Sequence, residues 1–213
     1  MAEFSKYFGD FYDFVLYLPD YLFLRRRRKR LLSQLSGKVL EVGFGTGMNF
    51  KHYGKSVEVV GIEPSPYMLS KAKRKLLKLN ASNRFTLHNL GCCDPEMEEL
   101  LEPESFDAIV CTLVLCTIPN HIRAMYNFYT WLKPGGKLLI LEHVQSHNRA
   151  GSIVQECINP AWTKISGGCN LNRPTDILLK GFGYKLIREE KFWLGMPFYE
   201  AELEKNRNPI ALS

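Results

Sequence analysis

The chain is 213 residues long, 46% hydrophobic, and carries a formal net charge of +6. Length and composition exclude a disordered chain and suit one α/β domain with a sizeable core. The charge excess resides in one block, Arg25, Arg26, Arg27, Arg28, Lys29 and Arg30; with no basic residues interleaved elsewhere, no nucleic-acid partner is expected.

The first predicted unit, residues 1–36, is helical and lid-like. Residues 11–24 are apolar but interrupted by Asp13, Pro19 and Asp20, too short a run to span a membrane. The basic block follows that run instead of preceding it, which excludes a signal peptide. Two readings of the block stay open: a solvated helix face with Leu24, Leu31, Leu32 and Leu35 turned to the core, or a surface that meets anionic lipid. The setting implied is cytoplasmic, with peripheral membrane contact as the alternative. The six cysteines, Cys92, Cys93, Cys111, Cys116, Cys157 and Cys169, form no C-x-x-C pair. Reduced thiols and no metal site are therefore expected.

A first strand then runs into Val39-Leu40-Glu41-Val42 and a turn, Gly43-Phe44-Gly45-Thr46-Gly47-Met48-Asn49. Glycines let the backbone take positive φ or lie directly against a ligand. A turn of this kind presents backbone N–H groups to that ligand. Dinucleotide sites space their glycines G-x-G-x-x-G; here the spacing is G-x-G-x-G, and Met48 stands where the third dinucleotide glycine would be. No Gly-Lys-Ser/Thr ending marks a P-loop. A carboxylate at Glu41 repels a pyrophosphate and favours an ammonium. A second strand, Val57–Ile62, ends at Glu63, where an acid can accept both ribose hydroxyls. An amino group, a ribose and no phosphate describe S-adenosylmethionine, with S-adenosylhomocysteine as its product.

Past Glu63, Pro64 turns the chain, and Ser65 with Pro66 starts a helix carrying Met68, Leu69, Ala72, Leu76 and Leu79 at helical spacing. Residues 85–88 read as a third strand. The acidic stretch 91–104 reads as a loop with a short helix at 95–101. Residues 106–111 form a near-continuous apolar strand, as in a sheet covered on both faces. A helix over 119–132 ends at Pro134-Gly135-Gly136. Residues 137–141 form a fifth strand, 177–180 lie in a helix closed by Gly181-Phe182-Gly183, and 184–190 form a sixth strand. A last short strand is predicted at 209–212. This alternation predicts an α/β fold with a doubly wound, mostly parallel, seven-stranded sheet in a single domain, with 144–176 inserted on the substrate side. The ligand then lies at the carboxyl ends of the strands, where Glu41, Glu63, residues 112–117 and Glu142-His143 fall.

Several segments resemble one family. These are Cys111-Thr112-Leu113-Val114-Leu115-Cys116, Leu132-Lys133-Pro134-Gly135-Gly136, Glu142-His143-Val144, and Asn159-Pro160-Ala161-Trp162 followed by Gly168-Cys169-Asn170-Leu171-Asn172-Arg173. They are similar to the methyltransferase-like thiol methyltransferases, over about residues 12–212. The resemblance implies a class I methyltransferase fold and S-adenosylmethionine dependence, with a small-molecule acceptor, first of all an alkyl thiol. For the animal enzymes it also implies an N-terminal membrane anchor, and no segment of that type precedes Tyr12. Phospholipid and quinone methyltransferases share the first half of the signature, and a non-catalytic cofactor-binding regulatory module is the reading of another class. The oligomeric state is not legible.

The cofactor residues implied are Glu41, Gly43, Gly45, Gly47, Asn49, Glu63, Pro64, Met68, Gly91, Cys92, Cys93, Thr112 and Leu113. Gly91-Cys92-Cys93 departs from relatives that carry an acid after this glycine, leaving backbone groups to meet the adenine. His143 is the candidate base, since its ordinary pKa lies near neutrality; a structural histidine is the alternative. Cys116 reads first as a packed small hydrophobe. With Tyr12, Leu115, Asn170 and Arg173 it also belongs to the candidate acceptor side, Asn170 and Arg173 serving either to bind substrate or to anchor the inserted loop. Tyr7, Phe8, Phe11 and Tyr12 either pack the first helix or cover the sulfonium.

Overall fold

The computed structural model describes residues 23–206. Tyr12, the other early aromatics and the strand expected at 209–212 lie outside the described residues. Among the described residues, seven strands form one sheet in the order β3-β2-β1-β4-β5-β7-β6. They are β1 (Gly37–Val42), β2 (Val57–Ile62), β3 (Phe85–His88), β4 (Phe106–Thr112), β5 (Leu132–His143), β6 (Tyr184–Trp193) and β7 (Pro197–Lys205). β1 to β5 pair in parallel, while β7 runs antiparallel between β5 and β6. Around them lie α1 (Arg25–Leu32), α2 (Pro66–Lys78), α3 (Pro95–Leu100), α4 (His121–Trp131), α5 (Arg149–Ile165) and α6 (Thr175–Lys180). None of the described helices is long and apolar enough to cross a membrane.

The sheet separates two apolar clusters. One gathers Leu40, Val42, Ile109, Phe128, Leu138 and Tyr199 under α3 and α4. The other gathers Leu31, Leu32, Phe44, Phe50, Val59, Ala72 and Leu139 under α1 and α2. The inner parallel strands β1, β2 and β4 therefore bury both faces, the reason they read as continuous apolar runs. α2 begins as its sequence predicts, with Ser65 Oγ accepting from Met68 N at 3.4 Å, but Leu79 at its end is 41% exposed and does not join the core stripe.

Three expectations shift. Pro134-Gly135-Gly136 does not stop a helix in open loop: α4 ends at Trp131 and the three residues lie inside β5. There the register slips between Phe106 and Ala108, and a Cβ on Gly136 would come within 2.8 Å of Lys133 O. The inserted segment holds a 17-residue helix, α5, capped by Asn148 Oδ1 accepting from Ala150 N at 2.8 Å. The seventh strand is β7, at Pro197–Lys205. Its glutamates disguised it: Glu200 is fully buried because Arg27, Arg30 and Arg188 converge on it at 2.8–2.9 Å.

Those ion pairs also account for part of the basic block. Arg27 and Arg30 clasp Glu190 at 2.7 and 2.8 Å, and Leu24, Leu31, Leu32 and Leu35 are buried as the helical spacing predicts. α1 is thereby stapled across the far edge of the sheet.

Candidate active site

At the carboxyl end of β1 the three glycines have separate tasks. Gly43, Gly45 and Gly47 all take positive φ, at 61°, 54° and 77°. A Cβ on Gly43 would sit 2.1 Å from Val114 Cγ2, and one on Gly47 would meet the Phe50 ring at 2.4 Å. Around Gly45 nothing lies within 4 Å. Gly43 and Gly47 are therefore demanded by packing, while Gly45 keeps open the space a ligand would enter.

Glu41 lies beneath this turn, 2% exposed. Its Oε1 accepts from Asn49 Nδ2 at 2.9 Å, and its Oε2 is buried with no hydrogen-bond partner. Burial pushes its pKa up to about 7, against Asn49, the neighbouring Tyr53 hydroxyl and the Arg28 guanidinium, which favour the carboxylate. Asn49 Nδ2 also donates to Thr112 Oγ1 at 2.9 Å. Arg28 Nη1 donates to Asn49 Oδ1 and to Thr112 Oγ1, both at 2.8 Å. One web thus joins α1, β1, the glycine turn and β4. Asn49 and Thr112 hold Glu41 and Arg28 in place.

Across the turn, Glu63 accepts from Gly45 N and Ser65 N at 3.0 Å each, and burial raises its pKa in spite of these donors. Pro64 is exposed beside it, and Met68 is buried on α2. After β3, Asp94 Oδ2 accepts from Gly91 N at 2.6 Å, closing the turn with an acid three residues on. Cys92 is buried and its carbonyl accepts from Asn127 Nδ2 at 2.9 Å; Cys93 is half-buried.

β4 ends in a strained turn. Leu113 takes a positive φ of 57°, a conformation that costs a non-glycine residue about 1–2 kcal/mol. Its N–H bonds Leu141 O at 2.9 Å, and the fully buried Glu142 Oε1 accepts from Val114 N at 2.8 Å and Leu115 N at 3.0 Å. Glu142→Ala should therefore destabilise the protein by on the order of 3 kcal/mol, since two buried N–H groups lose their acceptor. Glu142→Gln, which keeps an acceptor oxygen, should retain most of the stability; chemical denaturation of the three proteins checks this, and equal losses would contradict it.

The acceptor-side residues meet across long sequence distances. Leu115 is fully buried in the core, so its side chain packs instead of facing an open pocket. Asn170 donates to Cys116 O from N at 2.9 Å and from Nδ2 at 3.0 Å. Arg173 Nη1 donates to Leu115 O and, at 2.6 Å, to Ile118 O. Both residues tie the turn after α5 to the loop after β4. Cys116 is buried as a packed thiol should be, but it does not stand alone: Cys116 Sγ, Cys169 Sγ and a ring nitrogen of His143 lie within 4.8 Å of one another. His143 Nε2 is 3.0 Å from Cys169 Sγ, and its Nδ1 is buried without a partner. Burial lowers the imidazole's pKa, but Cys169 and Glu142 outweigh it and hold it above the ordinary value. His147 shares no helix with His143. It lies in the loop after β5, where Nε2 meets Asp176 Oδ2 at 2.7 Å.

Two residues of these clusters were not among the sequence candidates, Arg28 and Cys169. Arg28 carried a signal: it stands four residues after Leu24 and three before Leu31, on the apolar stripe of α1. Cys169 lay in the Gly168–Arg173 segment that carries the family resemblance, but nothing in its spacing pointed to Cys116 or His143.

A glycine turn with an open floor, acids at the carboxyl ends of β1 and β2, and a sheet whose last strand inserts antiparallel define a class I methyltransferase domain. The chain belongs to the methyltransferase-domain family, which matches residues 17–189. It is 34% identical over 157 residues to the thiol S-methyltransferase TMT1A of Homo sapiens, covering 69% of this chain and 63% of that protein. It is 32% identical over 179 residues to the thiol S-methyltransferase TMT1B of Homo sapiens, covering 79% and 71%. A putative methyltransferase from Bacillus halodurans shares the fold, with a TM-score of 0.66 at 16% identity over 84% of this chain and 98% of that one.

Proposed function

We propose that this chain is an S-adenosylmethionine-dependent methyltransferase whose acceptor is a small thiol. The observation that carries the cofactor is the unpartnered, buried Oε2 of Glu41, below a turn kept open at Gly45. A buried carboxylate oxygen without a full donor is unfavourable; the buried Tyr53 hydroxyl beside it is a neutral donor at best, and the cofactor's ammonium would supply a charged one. Glu63 would take the ribose hydroxyls, the Gly45 turn would lie against the cofactor, and Arg28 would add positive charge near its carboxylate. When bound, S-adenosylmethionine supplies an electrophilic methyl on a sulfonium.

The chain's own task is then to place the acceptor in line, in a dry site. A thiol must also lose its proton before or during attack, and Cys116, His143 and Cys169 are the titratable group at that edge of the sheet. Support for a thiol over other acceptors comes from the similarity to thiol S-methyltransferases.

Calorimetry should show binding of both S-adenosylmethionine and S-adenosylhomocysteine; binding of neither would sink the enzyme reading. In an assay of S-adenosylhomocysteine release, small alkyl thiols should turn over, and amines, phenols, quinols and phospholipid vesicles should not. Turnover with vesicles or quinols alone would replace the thiol by that acceptor.

A further inference from the structure

We propose that Cys116, His143 and Cys169 form a zinc site with three protein ligands, whose fourth position takes the acceptor thiol as a thiolate. The acceptor half of this inference rests on the thiol reading above; the metal half stands on geometry alone.

Two sulfurs and an imidazole nitrogen are the donor set that zinc prefers. At ordinary bond lengths, a tetrahedral zinc separates such donors by about 3.5–4 Å. The three donor atoms here lie within 4.8 Å of one another, with His143 Nε2 3.0 Å from Cys169 Sγ, so side-chain rotations that shift these atoms by about 0.5–1 Å bring them to zinc-bound spacing. Among the described residues this group has three members and no fourth. Three protein ligands and one open position is the pattern of catalytic zinc, whereas structural zinc has four.

The site is preorganised. Cys116 follows the strained turn at Leu113, whose neighbouring amides are held by Glu142. His143 ends β5, where its ring packs edge-on to Phe198 with centroids 6.3 Å apart. Cys169 is brought in by Asn170, which bonds Cys116 O twice. Three segments distant in sequence are thus fastened together by backbone contacts that need no metal. Cys116 and His143 are buried and Cys169, the least enclosed of the three among the described residues, is half-buried, so a fourth ligand would enter beside Cys169. The loop that bears Cys116 abuts the glycine turn through Val114, so the group stands at the same edge of the sheet as the cofactor turn.

Charge favours the assignment. Two thiolates neutralise a zinc ion, and an added acceptor thiolate leaves one negative charge. Arg173, half-buried against the same loop, offsets it. Coordination deprotonates a thiol outright. The S–H proton passes to solvent, and a lone pair of the bound thiolate forms the new S–C bond. The electron pair of the broken C–S bond stays on the cofactor sulfur. The product thioether is neutral, a poor zinc ligand, and dissociates. Methyl transfer to a thiol then needs no free general base.

The full chain, purified without chelator from zinc-supplemented medium, should carry about one equivalent of zinc by elemental analysis. Cys116→Ser, Cys169→Ser and His143→Ala should lower that content to background, while Cys157→Ser, at an exposed cysteine outside the group, should leave it unchanged. Cobalt(II) loaded into the unaltered protein should give thiolate-to-cobalt charge-transfer absorption, a measurement that requires no variant to fold. Adding 2-mercaptoethanol should intensify that absorption. Trace zinc with no cobalt–thiolate band overturns the site, as does a Cys116–Cys169 disulfide found by peptide mass in the native protein. A full metal complement with no response to the thiol overturns the acceptor role. Absence of S-adenosylmethionine binding in a zinc-loaded protein overturns the methyltransferase reading and leaves the metal site standing.

Discussion

Affinity for S-adenosylmethionine should fall about tenfold for each pH unit below about 7, because Glu41 holds a proton there that the ligand's ammonium must displace. Burial raises this carboxyl, so at pH 5 the empty site is protonated and binding should be about a hundredfold weaker than on the plateau. Above about pH 8 the cofactor's own amino group deprotonates, and affinity should fall again, giving a bell. Glu63 is raised too and acts in the same sense, so Glu41→Gln is the control: it should bind weakly at every pH and lose the steepest part of the acid limb. Stability gives a second readout. The folded carboxyl keeps its proton to about pH 7 and the unfolded one only to its ordinary 4.5. Unfolding between these values releases a proton, so wild-type stability should decline as pH rises through that window. Glu41→Gln should make the decline shallower without abolishing it, since burial raises Glu142 to about 7 and raises Glu63 as well. Calorimetry and denaturation at pH 5, 6, 7 and 8 test both, and a pH-independent affinity in the wild type would remove Glu41 as the ammonium's partner.

The two neighbouring glycines should respond oppositely to alanine. At Gly43 a methyl would be forced onto Val114 at 2.1 Å with φ at 61°. The backbone term is about 1–2 kcal/mol and overpacking adds about 1–3 kcal/mol. Gly43→Ala should therefore lose a large part of the stability of a domain whose total is about 5–15 kcal/mol. Gly45→Ala meets nothing within 4 Å, so only the backbone term of about 1–2 kcal/mol applies. Its methyl, however, stands in the space assigned to the cofactor. Gly45→Ala should fold and bind S-adenosylmethionine poorly; wild-type affinity in that variant would place the cofactor elsewhere. Chemical denaturation and calorimetry on the two variants separate packing from binding.

Much of the fold was legible because parallel strands are covered on both faces and their apolar runs are local. β2 was read at its observed bounds, Val57–Ile62. β7 was not, since Phe198-Tyr199-Glu200-Ala201-Glu202 alternates with acids that distant partners make buriable: arginines from α1 and β6 for Glu200 and Lys137 of β5 for Glu202. α5 was hidden by Pro160 inside it and by the polar residues around its start. The cofactor side was legible in the same local way: the positive-φ glycines, Glu41 and Glu63 all lie at strand ends within two dozen residues.

What the sequence by itself determined is the sheet's parallel half and the chemistry of the glycine turn. Strand ends and turns answer to neighbours a few positions away, and their residue types state the constraint. What only the tertiary structure decided is the partnership of residues far apart in the chain. Arg28 moves from a surface block to the web around Glu41 because α1 lays its apolar stripe, Arg28 included, against β1 and β4. His143 and Cys169, 26 residues apart, become neighbours because Asn170 and Arg173 fasten the turn after α5 onto the loop after β4. Each of those side chains has an unremarkable local setting. Its role comes from the convergence of separate segments, and that convergence is set by packing and hydrogen bonds which no local spacing encodes.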